Sequence, residues 1–362
     1  MSSFLVSSLI ILALFGAVAL FNYFRLKGAV TKLPYEEFRK DLRKVQLIDV
    51  REKEDFKYAH INGARNMPSS QFNFLYSSLR KDQPIYLCDK NGTLAPRAAL
   101  TLKKHGYTNV YMLKNGLQDW KENLKKLKEN KNIRKYKKYL IEGKHLIEEA
   151  LKVGVVEEII IGENFSDESL LTYFTGELTV VSESIMKSIT ETITTQGIIG
   201  VCRIEEKQLD ITKYKKVLIL DRIQDPGNLG TIIRTADAFA FDCIILGKGT
   251  TSLYGQKVIR STQGSNFHID CFENIDIKQL VTEMKEFNIY ATSLKADKYL
   301  EELDNITGHV AIIFGNEGSG VTDEILDEVN NLLKINMPGR AESLNVSIAA
   351  GIVMHYISSI LK

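Results

Sequence analysis

Cysteine is scarce in this chain: Cys88, Cys202, Cys243 and Cys271 are the only four in 362 residues, they lie far apart, and none forms a C-x-x-C pair. That spacing argues against both a disulfide framework and a zinc site, and it fits reduced thiols in a cytosolic setting. An excess of charge of either sign is missing too. The 47 Lys and Arg nearly balance 45 Asp and Glu, and the formal net charge of +2 by itself argues for no particular partner. With 44% hydrophobic and 25% charged residues the composition is globular, and the length suggests two or three domains.

Charge is absent altogether from Ser2 to Phe24, and Phe4 to Leu20 is dominated by Leu, Ile, Val, Ala and Phe. Roughly 20 apolar residues span a bilayer as a helix, so residues 1–25 are expected to be a transmembrane segment. A secretory signal peptide is the alternative, but its basic n-region is missing. Arg25, Lys27 and Lys32 follow the run directly, which by the positive-inside rule puts the rest of the chain in the cytoplasm. A second bias lies further on. Lys121 to Lys138 holds nine Lys or Arg against Glu122 and Glu129, either a solvated linker or helix face or a contact for nucleic acid or anionic lipid.

Between these stretches, Tyr35 to about Trp120 reads as a small α/β unit. Strands are expected at Gln46–Val50, Pro84–Cys88 and Asn109–Leu113, with a helix at Arg97–Lys104 stopped by His105-Gly106. At Asp49-Val-Arg51-Glu52, His60-Ile-Asn-Gly63-Ala64, and Cys88 followed by Asn91-Gly92, residues 33–120 resemble the rhodanese domain family. The resemblance implies sulfur transfer through a persulfide on Cys88. Here the loop departs from the family: Asp89 follows the cysteine, and the arginine that commonly closes the loop is absent, the nearest being Arg97. A reactive thiolate needs amides or cations that lower its pKa, so the unit reads either as a persulfide carrier or as a binding or spacer module.

Beyond the basic run, Leu140–Leu151 has helical period, and strands are expected at Val155–Ile161, Leu178–Val181 and Gly197–Cys202. His145 reads as a surface or packed residue, since no second metal ligand stands at helical spacing. From Lys215 on, strands at Val217–Leu220, Cys243–Leu246, Ile289–Ser293, Val310–Phe314 and Leu332–Ile335 alternate with helical stretches, the pattern of a mainly parallel sheet covered on both faces; Asp221–Gly230, with Pro226-Gly227, reads as a polar loop and Thr231–Phe241 as the helix after it.

Three segments of this last part share one design of apolar strand, polar turn with glycine, then helix: Asp221–Arg234, Phe314–Gly320 and Ile335–Ser347. Glycine lets backbone amides approach a ligand closely or take positive φ. Asn228, Gly230 and Arg234, then Gly315-Asn-Glu317-Gly318, then Pro338-Gly339 through Ser343-Leu344-Asn345-Val-Ser347 make the chain resemble the SpoU, or TrmH-like, family of RNA ribose 2′-O-methyltransferases of the SPOUT class.

The resemblance implies S-adenosylmethionine as cofactor, gripped at Gly315, Gly318, Ile335, Pro338 and Leu344, and a catalytic set of Arg234, Glu317, Ser343, Asn345 and Asn228. It also implies a trefoil knot, a homodimer whose subunits complete each other's sites, no metal, and RNA as partner, ribosomal RNA ahead of transfer RNA. Arg234 is too basic to be a general base, so it is expected to anchor phosphate and stabilise the alkoxide, with Glu317 or a phosphate assisting proton loss. Ser343 and Asn345 are equally good helix N-caps.

The expected fold class is therefore α/β throughout: a transmembrane helix at 1–25, a rhodanese-like domain at 33–120, a basic linker or leader at 121–136, a small α/β RNA-binding domain at 137–204 and a SPOUT domain with parallel sheet and trefoil knot at 213–362. The rivals are a non-catalytic RNA-binding protein and a membrane rhodanese acting through Cys88.

Overall fold

The structure, a computed structural model, describes residues 30–361 apart from 39–41, 43, 62, 118–123, 173, 191 and 193. The apolar N-terminal segment expected to cross a membrane lies outside the described residues; among those described, no helix is long and apolar enough to do so. Contacts divide the chain into two units. One comprises residues up to Lys126 with Ile160–Phe165 and Glu177–Ile189; the other comprises Leu127–Ile159, Ser166–Gly176 and the chain from Thr190 onward.

In the first unit a parallel sheet runs in the order β1 (Thr31–Leu33), β6 (Val110–Leu113), β5 (Ile85–Cys88), β2 (Gln46–Asp49), β4 (Arg65–Asn66). Helix α1 (Ala95–Lys104) buries Ala98, Ala99 and Leu102 in a core with Ile48, Leu87 and Met112. The short strands β3 (Ala59–Ile61) and β9 (Glu177–Val181) pair antiparallel.

The second unit opens with α2 (Asn130–Tyr136), β7 (Lys138–Glu142), α3 (Lys144–Lys152) and β10 (Ile198–Arg203), with β7 and β10 antiparallel; β8 (Val156–Gly162) belongs to it as far as Ile159. Part of the basic run expected as a linker is thus helical. The helix expected from Leu140 starts instead at Lys144, because Leu140 and Ile141 pair with β10 and Gly143, at φ +101, turns the chain between strand and helix.

The remainder folds on one seven-stranded parallel sheet, ordered β13 (Asp270–Ile275), β12 (Cys243–Gly247), β11 (Lys216–Leu220), β16 (His309–Phe314), β14 (Phe287–Thr292), β17 (Asn331–Lys334), β15 (Lys298–Tyr299). Every residue of β11 is buried, as it must be in a strand covered on both faces. On one face, α4 (Pro226–Ala238) and α7 (Val346–Ile360) pack Ile232, Ile233, Val353 and Ile357 against Leu218 and Ile312. On the other, α6 (Ile277–Glu283) packs Leu280 and Val281 against Val217 and Ile313.

The Pro226-Gly227 pair, expected in a loop reaching to Gly230, opens α4 instead. Asp225 caps the helix by accepting from Asn228 N at 2.8 Å, and a proline in the first turn gives up an N–H that has no partner there anyway. At Gly230 an added Cβ would stand 2.3 Å from Ser261 Cβ, so this glycine allows α4 to approach α5 (Gln256–Thr262). Its place in the first matched segment is explained by helix packing.

Candidate active site

Four neighbouring strands of the large sheet, β11, β16, β14 and β17, deliver their carboxyl ends to one side, where open parallel sheets bind ligands. The loop after β16 is closed by two backbone bonds between Asn316 and Gly320, at 3.0 and 2.9 Å. Asn316 Oδ1 accepts from Gly318 N and Ser319 N, while its Nδ2 donates to Arg222 O at 3.0 Å. Buried Asp221, just past β11, accepts from Thr322 N and Oγ1 and so ties the far end of that loop to the sheet. Gly315 has no room for a side chain, since a Cβ would lie 2.0 Å from Gly320 C.

A chain of side-chain bonds then joins the three matched segments. Asn345 caps α7, its Oδ1 accepting from Ser347 N at 2.9 Å, and its Nδ2 donates to Asn228 Oδ1 at 3.0 Å. Asn228 Nδ2 donates in turn to Glu317 Oε1 at 3.1 Å. Glu317 also accepts from Asp225 N at 3.1 Å and Gln224 N at 3.2 Å. Partial burial alone would raise its pKa, but the bond from Asn228 and the backbone donors outweigh burial and hold it below the usual carboxylate value. Glu317 is therefore an ionised anchor at neutral pH and a weak base.

Beside this relay lies a cavity of about 450 Å³, in the size range of small-molecule sites. Leu300, Leu333, Ile335, Leu344 and Val353 supply aliphatic walls, the 315–320 loop supplies backbone amides and carbonyls, and Lys295, Asp323 and Glu342 bring charge. Gly315, Gly318, Ile335 and Leu344, the residues expected to grip the cofactor, are among those that line it, together with Glu317 and Ser343. Pro338, expected at the cofactor, is exposed and outside the lining, which its neighbour Met337 joins instead.

Asn228 and Asn345 do not line the cavity and stand one step back, in the relay. Arg234 is exposed on α4 and does not line the cavity; it has no hydrogen bond or ion pair among the described residues. The pairing with Asp237 that would explain it structurally is not made, because Asp237 binds His268. Thr292, Ser293 and Lys295 also line the cavity and were missed in the sequence. They end a strand that lacks a glycine turn, and only the rule about strand ends, applied to β14 as well, would have found them. No group of His, Cys, Asp and Glu among the described residues is arranged to hold a metal.

Cys88 sits at the end of β5, fully buried, with Sγ 3.6 Å from Ile48 O. Burial first, and then the Asp49 carboxylate, push its thiol well above the ordinary value. The loop amides do not face the sulfur: Gly92 N, Leu94 N and Ala95 N donate to the Asp89 carboxylate at 2.6, 2.6 and 2.9 Å. Asp49 is spent on a buried fork with Arg51, whose Nη2 lies 2.6 Å from Asp49 Oδ2.

Family models match three stretches: the SpoU rRNA Methylase family at residues 215–355, a rhodanese-like domain at 35–123, and an MRM3-like substrate binding domain at 122–200. The 23S rRNA (guanosine(2553)-2′-O)-methyltransferase RlmP of Bacillus subtilis is 40% identical over 245 residues, 67% of this chain and 95% of the relative. The uncharacterized protein YqhL of the same bacterium is 42% identical over 117 residues, 32% of this chain and 93% of that protein. Among solved structures, the AdoMet-bound rRNA methyltransferase of Sinorhizobium meliloti superposes with a TM-score of 0.61 at 28% identity, covering 67% of this chain and 95% of that one.

The geometry at Cys88 leads to a prediction. In the native protein at neutral pH, Cys88 should resist alkylation by iodoacetamide and gain no sulfur from thiosulfate, both read by peptide mass spectrometry, and should react once the chain is denatured. Fast native labelling of Cys88 would overturn this.

Proposed function

This chain belongs to the SpoU rRNA Methylase family, and we propose that it methylates a ribose 2′-hydroxyl of ribosomal RNA, with S-adenosylmethionine as donor. The observation that carries the reading is the convergence of three strand ends, those of β14, β16 and β17, on one cavity, with Glu317, Asn228 and Asn345 locked in a relay beside it. Aliphatic walls and loop amides suit a nucleoside, and the charged rim suits an amino-acid tail. Ile335, Leu344 and the backbone at Gly315 and Gly318 would hold the cofactor, which supplies an electrophilic methyl group. Transfer then depends on alignment, which the relay provides by fixing the loops relative to one another. Ser343, exposed and part of the cavity lining, would offer its hydroxyl to RNA.

Arg234 completes the site of a second copy. In support, Ile348 and Ile352, one turn apart on α7, stand 56% and 39% exposed, and α4 with Arg234 packs beside that helix. A homodimer through α7 would cover the two isoleucines and carry Arg234 toward the partner's cavity. There its guanidinium would bind phosphate and the developing alkoxide. Glu317, held ionised, keeps Asn228 in place, and the proton leaves toward a neighbouring phosphate.

Ribosomal RNA from a deletion strain should accept labelled methyl groups from the purified protein, and ribose mapping should assign the site to 23S rRNA; methylation of transfer RNA alone would redirect the substrate. Arg234→Ala should lower kcat by about 10²–10³-fold. Mixing it with inactive Gly315→Val subunits should restore part of the activity, whereas no recovery would place Arg234 at its own subunit's cavity. Failure of the wild type to bind the cofactor in calorimetry would favour a non-catalytic RNA-binding protein.

The trefoil knot belongs to the same reading, supported by the way the loops after β16 and β17 wall one cavity. A single molecule stretched from both ends should stop short of its full contour length. The N-terminal apolar run supports a single-pass membrane anchor with the catalytic part in the cytoplasm. Full-length protein should sediment with membranes and a form lacking residues 1–25 should not; a soluble full-length protein would refute the anchor. No observation favours sulfur transfer at Cys88, and a spacer or binding role for the rhodanese-like unit fits its self-capped loop.

A further inference from the structure

Between the substrate-binding part and the catalytic helix α4 lies a histidine with two acidic partners. His268 Nδ1 is 3.0 Å from Asp237 Oδ2, near the end of α4, and His268 Nε2 is 3.0 Å from Glu149 Oε2, on α3. A neutral imidazole has one N–H, so both bonds are donated at once only by the imidazolium. Two further contacts fix the same junction. His145 Nε2 on α3 lies 3.1 Å from Gln263 O, and Gly264, at φ +97, is packed so closely that an added Cβ would lie 2.9 Å from Glu149 Cγ. The turn after α5 is therefore shaped to receive α3.

We propose that His268 is a positioning residue for methyl transfer: its imidazolium clamps α3 to α4, holding the substrate-binding part in line with the helix that carries Asn228 and Arg234. This rests on the RNA methyltransferase reading given above. The ionisable groups facing the ring are Glu149, which Lys152 also contacts at 2.8 Å, and Asp237; His145 is engaged by the Gln263 carbonyl. The bonds from Glu149 and Asp237 raise the His268 pKa, while Lys152 first and His268 second keep Glu149 below its usual value. A raised histidine value sets the sign: the clamp is complete below the ordinary value of about 6.5 and is lost as pH rises through the raised one. The side chain is 45% exposed, so protons reach it freely.

The test uses the full chain with unmodified 23S rRNA transcript, read by filter binding and methyl incorporation at about pH 6 and about pH 9. His268→Ala should raise KM for RNA at least about fivefold at the lower pH and leave the calorimetric Kd for S-adenosylmethionine unchanged, which also reports an intact fold. Its RNA affinity should no longer fall with pH beyond the background that remains without the histidine. His268→Arg, cationic throughout, should keep at pH 9 the RNA affinity that the wild type loses. An unchanged KM for RNA in His268→Ala, or equal pH profiles for it and the wild type, would overturn the clamp. A wild type that neither binds the cofactor nor methylates rRNA would instead overturn the function, and the RNA-binding comparison would still judge the clamp.

Discussion

The catalytic half depends on one ionised carboxylate. Glu317 gathers two backbone amides from the turn before α4 and the Asn228 amide, and Asn228 in turn holds Asn345 at the start of α7. The loops that follow β11, β16 and β17 are thereby tied to one another through side-chain bonds. Removing the charge would leave three donors facing a weaker acceptor, and bonds to charged groups are the stronger ones. The low pKa that makes Glu317 a good anchor also makes it a poor base, so positioning and proton removal are separate tasks here.

The parallel sheet makes that relay possible. β11 lies between β12 and β16, and β16 between β11 and β14, so strands distant in sequence end side by side. Asp221 and Thr322 couple two of those ends, and Asn316 bonds back to Arg222. Close approach supplies the rest. Gly315 permits the tight turn after β16, and Gly230 brings α4 onto α5, whose following turn receives α3. The helix that presents Asn228 and Arg234 is thus held on one side by sheet packing and on the other by the junction at His268.

The rhodanese-like unit shows how one set of residue types can serve a different end. Asp49 and Arg51 form a buried fork that braces the end of β2, and Asn66 donates to both of their carbonyls. Asp89 occupies the amides that would otherwise face an anion. A cysteine at the end of a strand is reactive only where it is exposed and electropositively surrounded, and Cys88 is neither.

The order of strands and helices and the parallel sheet were legible in the sequence, because apolar runs alternating with polar glycine turns carry that information locally, whereas the cavity residues Gly315, Gly318, Ile335 and Leu344 were reached through the resemblance to the SpoU family. The start of α4 was misread at Pro226-Gly227, since proline followed by glycine marks a turn or a helix opening alike until the cap at Asp225 is seen. Thr292, Ser293 and Lys295 gave no local sign. Only tertiary structure decided that Pro338 and Arg234 stand outside the cavity lining, that Cys88 is sealed, and that His268 lies between two carboxylates. Each of these depends on which strand ends lie together and which groups are left in water, and neither is encoded within a window of a few residues.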